Sequence, residues 1–136
     1  MKKLFMTTAI IEIATGIALL TVPALLASIL LGGDLDTSAG LAVARLAGAA
    51  LLSLGVACWF GSRDVQSRAA IGIVAAMLLY NLAAVVLLVS LRYGVGMTGM
   101  GLLPASALHA ALAVWCIACL RAAWLGGILR SDRVKG

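Results

Sequence analysis

The chain has 136 residues, of which 64% are hydrophobic and 11% charged, with a formal net charge of +5. That balance lies well outside the range of soluble globular domains and leaves room for a single domain, so a water-soluble enzyme fold is excluded. The basic excess alone would suit nucleic acid, but the lysines and arginines flank apolar stretches instead of forming a patch, which argues against a nucleic-acid partner.

A hydrocarbon core about 30 Å thick needs roughly 20 apolar residues of helix, and four stretches meet that need, at about 4–31, 40–60, 70–91 and 102–125. Each is continuously apolar where a barrel strand would alternate, which selects helices. The expected fold is an all-α integral membrane protein, residues 1–136 forming one domain of four transmembrane helices in one bundle.

The first stretch begins "MKKLFMTTAIIEIATGIALL", which has the basic start of a signal peptide but carries Glu12 inside its apolar region, so it reads as an uncleaved helix. Run straight from 4 to 31, its 28 residues would rise about 42 Å, more than a span requires. Pro23 removes one helical hydrogen bond and is the expected break. The following "GGDLDTS" is an acidic loop in which Asp36, Thr37 or Ser38 can cap the next helix. Capping and solvation account for Asp34 and Asp36 better than metal binding does.

The second stretch, "GLAVARLAGAALLSLGVACWF", repeats small residues every four positions. Gly40, Ala44 and Gly48 form one stripe; Ala49, Ser53 and Ala57 form another. Small residues let backbones approach where lipid supplies no hydrophobic drive, so this helix is expected to make the closest helix contacts or an oligomer contact. Between the third and fourth stretches, "RYGVGMTGMG" is rich in glycine but has no Lys-Ser or Lys-Thr after it. It is therefore no phosphate cradle and reads as a flexible connection. Trp59, Trp124 and Tyr93 fall near helix ends, as interfacial anchors do, whereas Trp115 is deeper and is expected to pack within the bundle.

Lys2 and Lys3 precede the first helix, Arg63 and Arg68 lie between the second and third, and Arg121, Arg130, Arg133 and Lys135 gather at the end. The positive-inside rule then places both termini in the cytoplasm, with a bacterial inner membrane as the setting. A basic rim of this kind favours anionic lipid headgroups, by about 1 kcal/mol per residue near the surface.

Polar groups inside the stretches are the candidate site. Counted at 1.5 Å per residue from the cytoplasmic end, Glu12 lies roughly 12 Å deep, Tyr80 and Asn81 about 15 to 16 Å, His109 about 20 Å and Arg45 about 22 Å. Thr8, Thr15 and Gly16 share the helical face of Glu12, which makes that face small, polar and inward-looking. A lone charged carboxylate in hydrocarbon is so unfavourable that Glu12 must be paired or hold a proton. Asn81 is its nearest polar neighbour in depth, and His109 and Arg45 are the available cations. Such a ladder either ties helices together or marks a binding site or proton pathway. One histidine cannot complete a metal or haem site, so neither metal nor cofactor is expected.

Cys116 and Cys119 form a Cys-x-x-Cys motif, which on a helix puts both sulfurs on one face. The pair is similar to that in the last helix of four-helix quinone-linked oxidoreductases of the vitamin K epoxide reductase type. Here it falls in the cytoplasmic half, with no shuttle cysteines in the outer loops. The segments "EIATGIALLTVPALLASILLG", "ARLAGAALLSLG" and "LLPASALHAALAVW" resemble small uncharacterised four-helix bacterial membrane proteins, loosely DoxX-like, a resemblance that implies no settled activity. The surroundings of Glu12 alone are similar to the first helix of the small multidrug resistance transporters, which implies a proton-exchanging carboxylate there.

The leading expectation is a small inner-membrane protein, self-associating or part of a larger complex. Its polar site of Glu12, Asn81, His109, Arg45, Tyr80, Thr8 and Thr15 would bind a small molecule, lipid or proton, with transport as one use. The alternatives are a structural accessory subunit without a ligand and a thiol redox protein using Cys116 and Cys119.

Overall fold

The computed structural model describes residues 1–135, with side chains through Leu125. It is helical throughout, with α1 (Lys2–Thr21), α2 (Pro23–Leu31), α3 (Ser38–Gly61), α4 (Arg68–Ser90) and α5 (Leu102–Lys135). Four of the helices are long and apolar enough to cross a membrane. The side chains of Arg130, Arg133 and Lys135, part of the expected basic rim, lie outside the described residues.

Each boundary has a local cause. Val22 leaves helical geometry, with φ −130° and ψ 53°, and Pro23 takes the first position of α2. There its missing N–H is no loss, because that donor has no intrahelical acceptor. Gly32 ends α2 at φ 76°, in the left-handed region that glycine adopts without strain. Thr37 caps α3 by accepting from the Gly40 N–H at 3.1 Å, and Ser67 caps α4 by accepting from the Ala70 N–H at 3.1 Å. α4 runs on into a turn of π-helix, Leu91–Val95, that closes on Gly96.

The glycine-rich connection is not the flexible linker its composition suggests. Its far end packs against α2: the Gly101 N–H donates to the Ile29 carbonyl at 3.0 Å, and a Cβ on Gly99 would overlap the Leu30 carbonyl. The glycines serve close backbone approach, a use that their composition alone does not distinguish from mobility.

The long helices associate as two pairs, α1 with α3 and α4 with α5. In the first pair the backbones touch. A Cβ on Gly16 would lie 2.8 Å from the Gly48 carbonyl oxygen and 2.8 Å from the Leu52 nitrogen. One on Gly48 would lie 2.8 Å from the Leu19 Cβ, and one on Gly55 would lie 3.0 Å from the Ile13 nitrogen. Residue numbers rise along α3 as they fall along α1, so the two run antiparallel. The pairs join at the end where the chain begins, through a core that includes Leu4, Phe5, Cys58, Val74, Met77 and Cys116.

The α3 stripes divide accordingly. Gly48 meets α1, whereas Gly40 and Ala44 line a cavity between the pairs. Ala49 and Ser53 face outward, and the Ser53 hydroxyl donates to its own helix at the Ala49 carbonyl, 2.8 Å away. Trp115 also departs from expectation: it is 38% exposed on the outer surface of α5, because the inward positions of that helix fall to Leu112, Ala113 and Cys116.

These contacts set an expected outcome. Gly48→Ala should destabilise the protein by about 1–3 kcal/mol, since backbone and a Cβ, not a flexible side-chain end, stand in the way. Gly72→Ala, with no atom within 4 Å of the new Cβ, should be neutral or stabilising by up to about 1 kcal/mol through helix propensity. Thermal unfolding of both variants in the same lipid or detergent checks the contrast.

Candidate functional site

Beyond the packed end, the two helix pairs flank an open-sided cavity of about 890 Å³. That volume is in the range of small-molecule sites, roughly 300–1,000 Å³. Its walls combine leucines with a set of small side chains that widen it. Ala44 and Ala47 of α3, Ala83 and Ala84 of α4 and Ala105 of α5 occupy positions where leucines would fill it. Leu26, Leu30 and Leu31 of α2 line it at the end away from the chain start.

Polar groups enter this apolar space from three helices. Glu12 and Thr15 of α1, Tyr80 of α4 and His109 of α5 all line the cavity, next to the core that closes the other end. Glu12 is 1% exposed, and its Oε1 has no hydrogen-bond partner. Thr8, one helical turn away, is fully buried and its Oγ1 is likewise unpartnered. The face of Thr8, Glu12, Thr15 and Gly16 therefore looks into the bundle, and two of its polar atoms are unmatched by protein groups. A buried polar group without a partner loses its hydration free energy uncompensated, so such atoms call for a functional account.

Asn81 is fully buried and has two partners. Its side-chain nitrogen donates to the Met77 carbonyl at 2.7 Å, and its oxygen faces His109 Nδ1 at 2.8 Å. The Tyr80 ring packs edge-on against the imidazole, with centroids 5.4 Å apart and planes at 86°. Asn81 is thus the support of His109 and not the partner that its depth suggested for Glu12. Counting along a helix gives position on its axis, but rotation about that axis decides who meets whom.

Arg45 is a second departure. It lies on the exposed face of α3, outside the cavity, because Gly48 and Gly55 turn toward α1 and Ala44 and Ala47 toward the cavity. With an unbranched stem leaning toward the α3 N-terminus, it can reach the nearer end of the bundle along the outer surface. The expected ladder of five residues is therefore a cluster without its arginine.

The wall residues Ala47, Ala83, Ala84, Ala105 and Leu35 were missed by reasoning from polar groups. The signal was present as small residues in "NLAA" and "PASALH", yet alanines that make a void and alanines that make a contact look alike in a sequence. Cys58, Cys116 and Cys119 are free and buried in the packed end, and the Cys58 Sγ lies 3.4 Å from the Met77 Sδ. Among the described residues no group of three His, Cys, Asp or Glu side chains is placed to hold a metal ion.

Stability should separate the two buried polar positions. Glu12→Gln conserves shape and breaks no hydrogen bond at Oε1, so unfolding free energy should change by less than about 1 kcal/mol. Asn81→Leu strips His109 of its partner and should be destabilising by about 1–2 kcal/mol. Parallel melts of the two variants in one membrane mimetic give the comparison. The chain matches no protein-family model, no curated protein and no solved structure, so its likeness to DoxX-like proteins rests on the quoted sequence segments.

Proposed function

We propose that this is a membrane-embedded binding protein that takes a small molecule or lipid into the cleft between its helix pairs, with Glu12 meeting the polar part of the occupant. The observation that carries the reading is a cavity of about 890 Å³ whose mostly apolar wall includes a buried carboxyl with an unpartnered oxygen. A few polar groups converging in an apolar pocket fix the orientation of a ligand, while the walls supply its affinity. An ionisable group facing a bundle interior also suits proton-coupled movement, and transport is the use that combines both.

The setting we propose is a bacterial inner membrane with both termini in the cytoplasm. It is supported by Lys2, Lys3, Arg63 and Arg68 at one end of the bundle and Asp34 and Asp36 at the other. The basic end would meet anionic headgroups. The outward small residues Ala49 and Ser53 of α3 support self-association or docking into a larger complex. A purely structural subunit leaves the hollow and its unmatched carboxyl without a purpose. A thiol redox role is less favoured because Cys116 and Cys119 are both buried in the packed end, away from the cavity.

Filling the cavity tests the reading. Ala84→Phe should insert a ring into the hollow with little effect on folding, and should eliminate most of the apolar molecules that the wild-type protein retains on purification from native membranes. Mass spectrometry of extracts from the two proteins makes the measurement. Equal retention of the same species by both would overturn the cleft as the binding site.

A further inference from the structure

Four polar side chains line the cavity, and three of them can serve a ligand in either sense. The Thr15 and Tyr80 hydroxyls donate or accept as they rotate, and the Glu12 carboxyl does so according to whether it holds a proton. His109 differs, because its surroundings assign its role.

The assignment begins on α4. A backbone carbonyl only accepts, so the Asn81 side-chain nitrogen is the donor to Met77 at 2.7 Å, which sets the amide oxygen against His109 Nδ1 at 2.8 Å. Turning the amide over would set oxygen against oxygen at Met77. An amide oxygen also only accepts, so Nδ1 carries a proton. Asn81 is fully buried, and the Tyr80 ring packs edge-on against the imidazole, so both groups are held in place. Among the described residues no carboxylate pairs with the ring, and a charged imidazole in this apolar wall would stand uncompensated. The ring is therefore neutral, and its Nε2 is a bare acceptor.

Nε2 is also open. It has no protein partner, and the buried unpartnered polar atoms among the described residues are Thr8 Oγ1 and Glu12 Oε1 alone. His109 lines the cavity and Asn81 does not, so Nε2 is the nitrogen left for an occupant.

Resting on the cleft reading above, we propose that His109 Nε2 is the specificity-determining contact of the cavity. It is an acceptor locked in that role, and it selects membrane-soluble molecules bearing an O–H or N–H donor over molecules of similar shape that can only accept. Alcohols, undissociated acids and primary amides on an apolar body share that chemistry. A molecule that only accepts meets Nε2 lone pair to lone pair and leaves it desolvated without a bond. Asn81 is a positioning residue that holds the imidazole in the accepting tautomer.

The chain has a single histidine, so ¹⁵N-histidine labelling gives one imidazole signal set that reports tautomer and charge directly. The protein in phosphatidylcholine nanodiscs is titrated with two matched pairs, dodecanol with its methyl ether and dodecanamide with its N,N-dimethyl derivative. Binding is expressed per molecule dissolved in the nanodisc lipid. The expected result is a neutral Nδ1–H ring whose Nε2 resonance moves with each donor, and a preference for donor over capped partner of about tenfold, one hydrogen bond's worth. His109→Phe should bring that preference to within about twofold while apolar binding persists, which separates the bond from the bulk of the methyl cap. Asn81→Leu should give a mixture of tautomers and an intermediate preference.

An Nε2–H or doubly protonated ring in the wild-type protein, capped compounds that bind as well as their donors, or a preference that survives in His109→Phe would each overturn the donor inference and leave the cleft reading standing. A preference shown by one pair alone would overturn it as well, because a donor is what both pairs share. If no probe binds in a manner sensitive to Ala84→Phe, the donor inference is lost. Should the retained species in native extracts also be unaffected by Ala84→Phe, the cleft reading falls with it.

Discussion

The contact on which the architecture depends is backbone against backbone between α1 and α3. Within lipid, burying apolar surface brings no hydrophobic gain, because the displaced hydrocarbon is as apolar as the side chains. Association then relies on dispersion at short range, which requires that nothing larger than hydrogen stand between the helices. Gly16, Gly48 and Gly55 provide that approach: a Cβ on any of them would come within about 3 Å of a backbone atom of the facing helix or its Cβ. The pair so formed is a closely packed wall against which the second pair is arranged.

The second pair meets this wall along only part of its length. Where the chain begins, Phe5, Met77, Val74 and the cysteines fill the space between the pairs and make a solid core. Further along, alanines replace bulk on three helices and the pairs stand apart around the cavity. The polar cluster sits where the solid half gives way to the hollow half. That placement sets Glu12 at the boundary between the packed core and the cavity wall. Buried polar groups in a fully packed membrane interior would have to satisfy one another, and Glu12 is not satisfied by the protein.

The break at Pro23 has a structural return. A straight continuation of α1 would carry its leucines past the end of the bundle, whereas the separate α2 turns Leu26, Leu30 and Leu31 onto the cavity. The hydrogen bond from Gly101 to Ile29, together with the close approach at Gly99, ties α2 to the start of α5 and so links the two pairs at the hollow end. The molecule is thus joined at both ends and open in the middle.

By itself the sequence determined what depends on composition along the chain. Hydrophobic run length specified four helices long and apolar enough to span a membrane, Pro23 specified the interruption, Thr37 was among the readable caps, and the burial of a carboxylate in a long apolar run marked Glu12 as a residue facing inward. Those features follow from the cost of exposing backbone and charge to hydrocarbon, which acts on each segment separately. The tertiary structure alone decided azimuth and separation. Which way α3 is turned placed Gly48 against α1, left Arg45 outside and gave Ala44 and Ala47 to a cavity; how far apart the pairs stand made alanines into a void where the same residues could have made a contact. It also paired His109 with Asn81 and left Glu12 without a partner. A repeat of small residues states that close approach is allowed, but only the packing of all the helices together decides what approaches, because no segment carries that information alone.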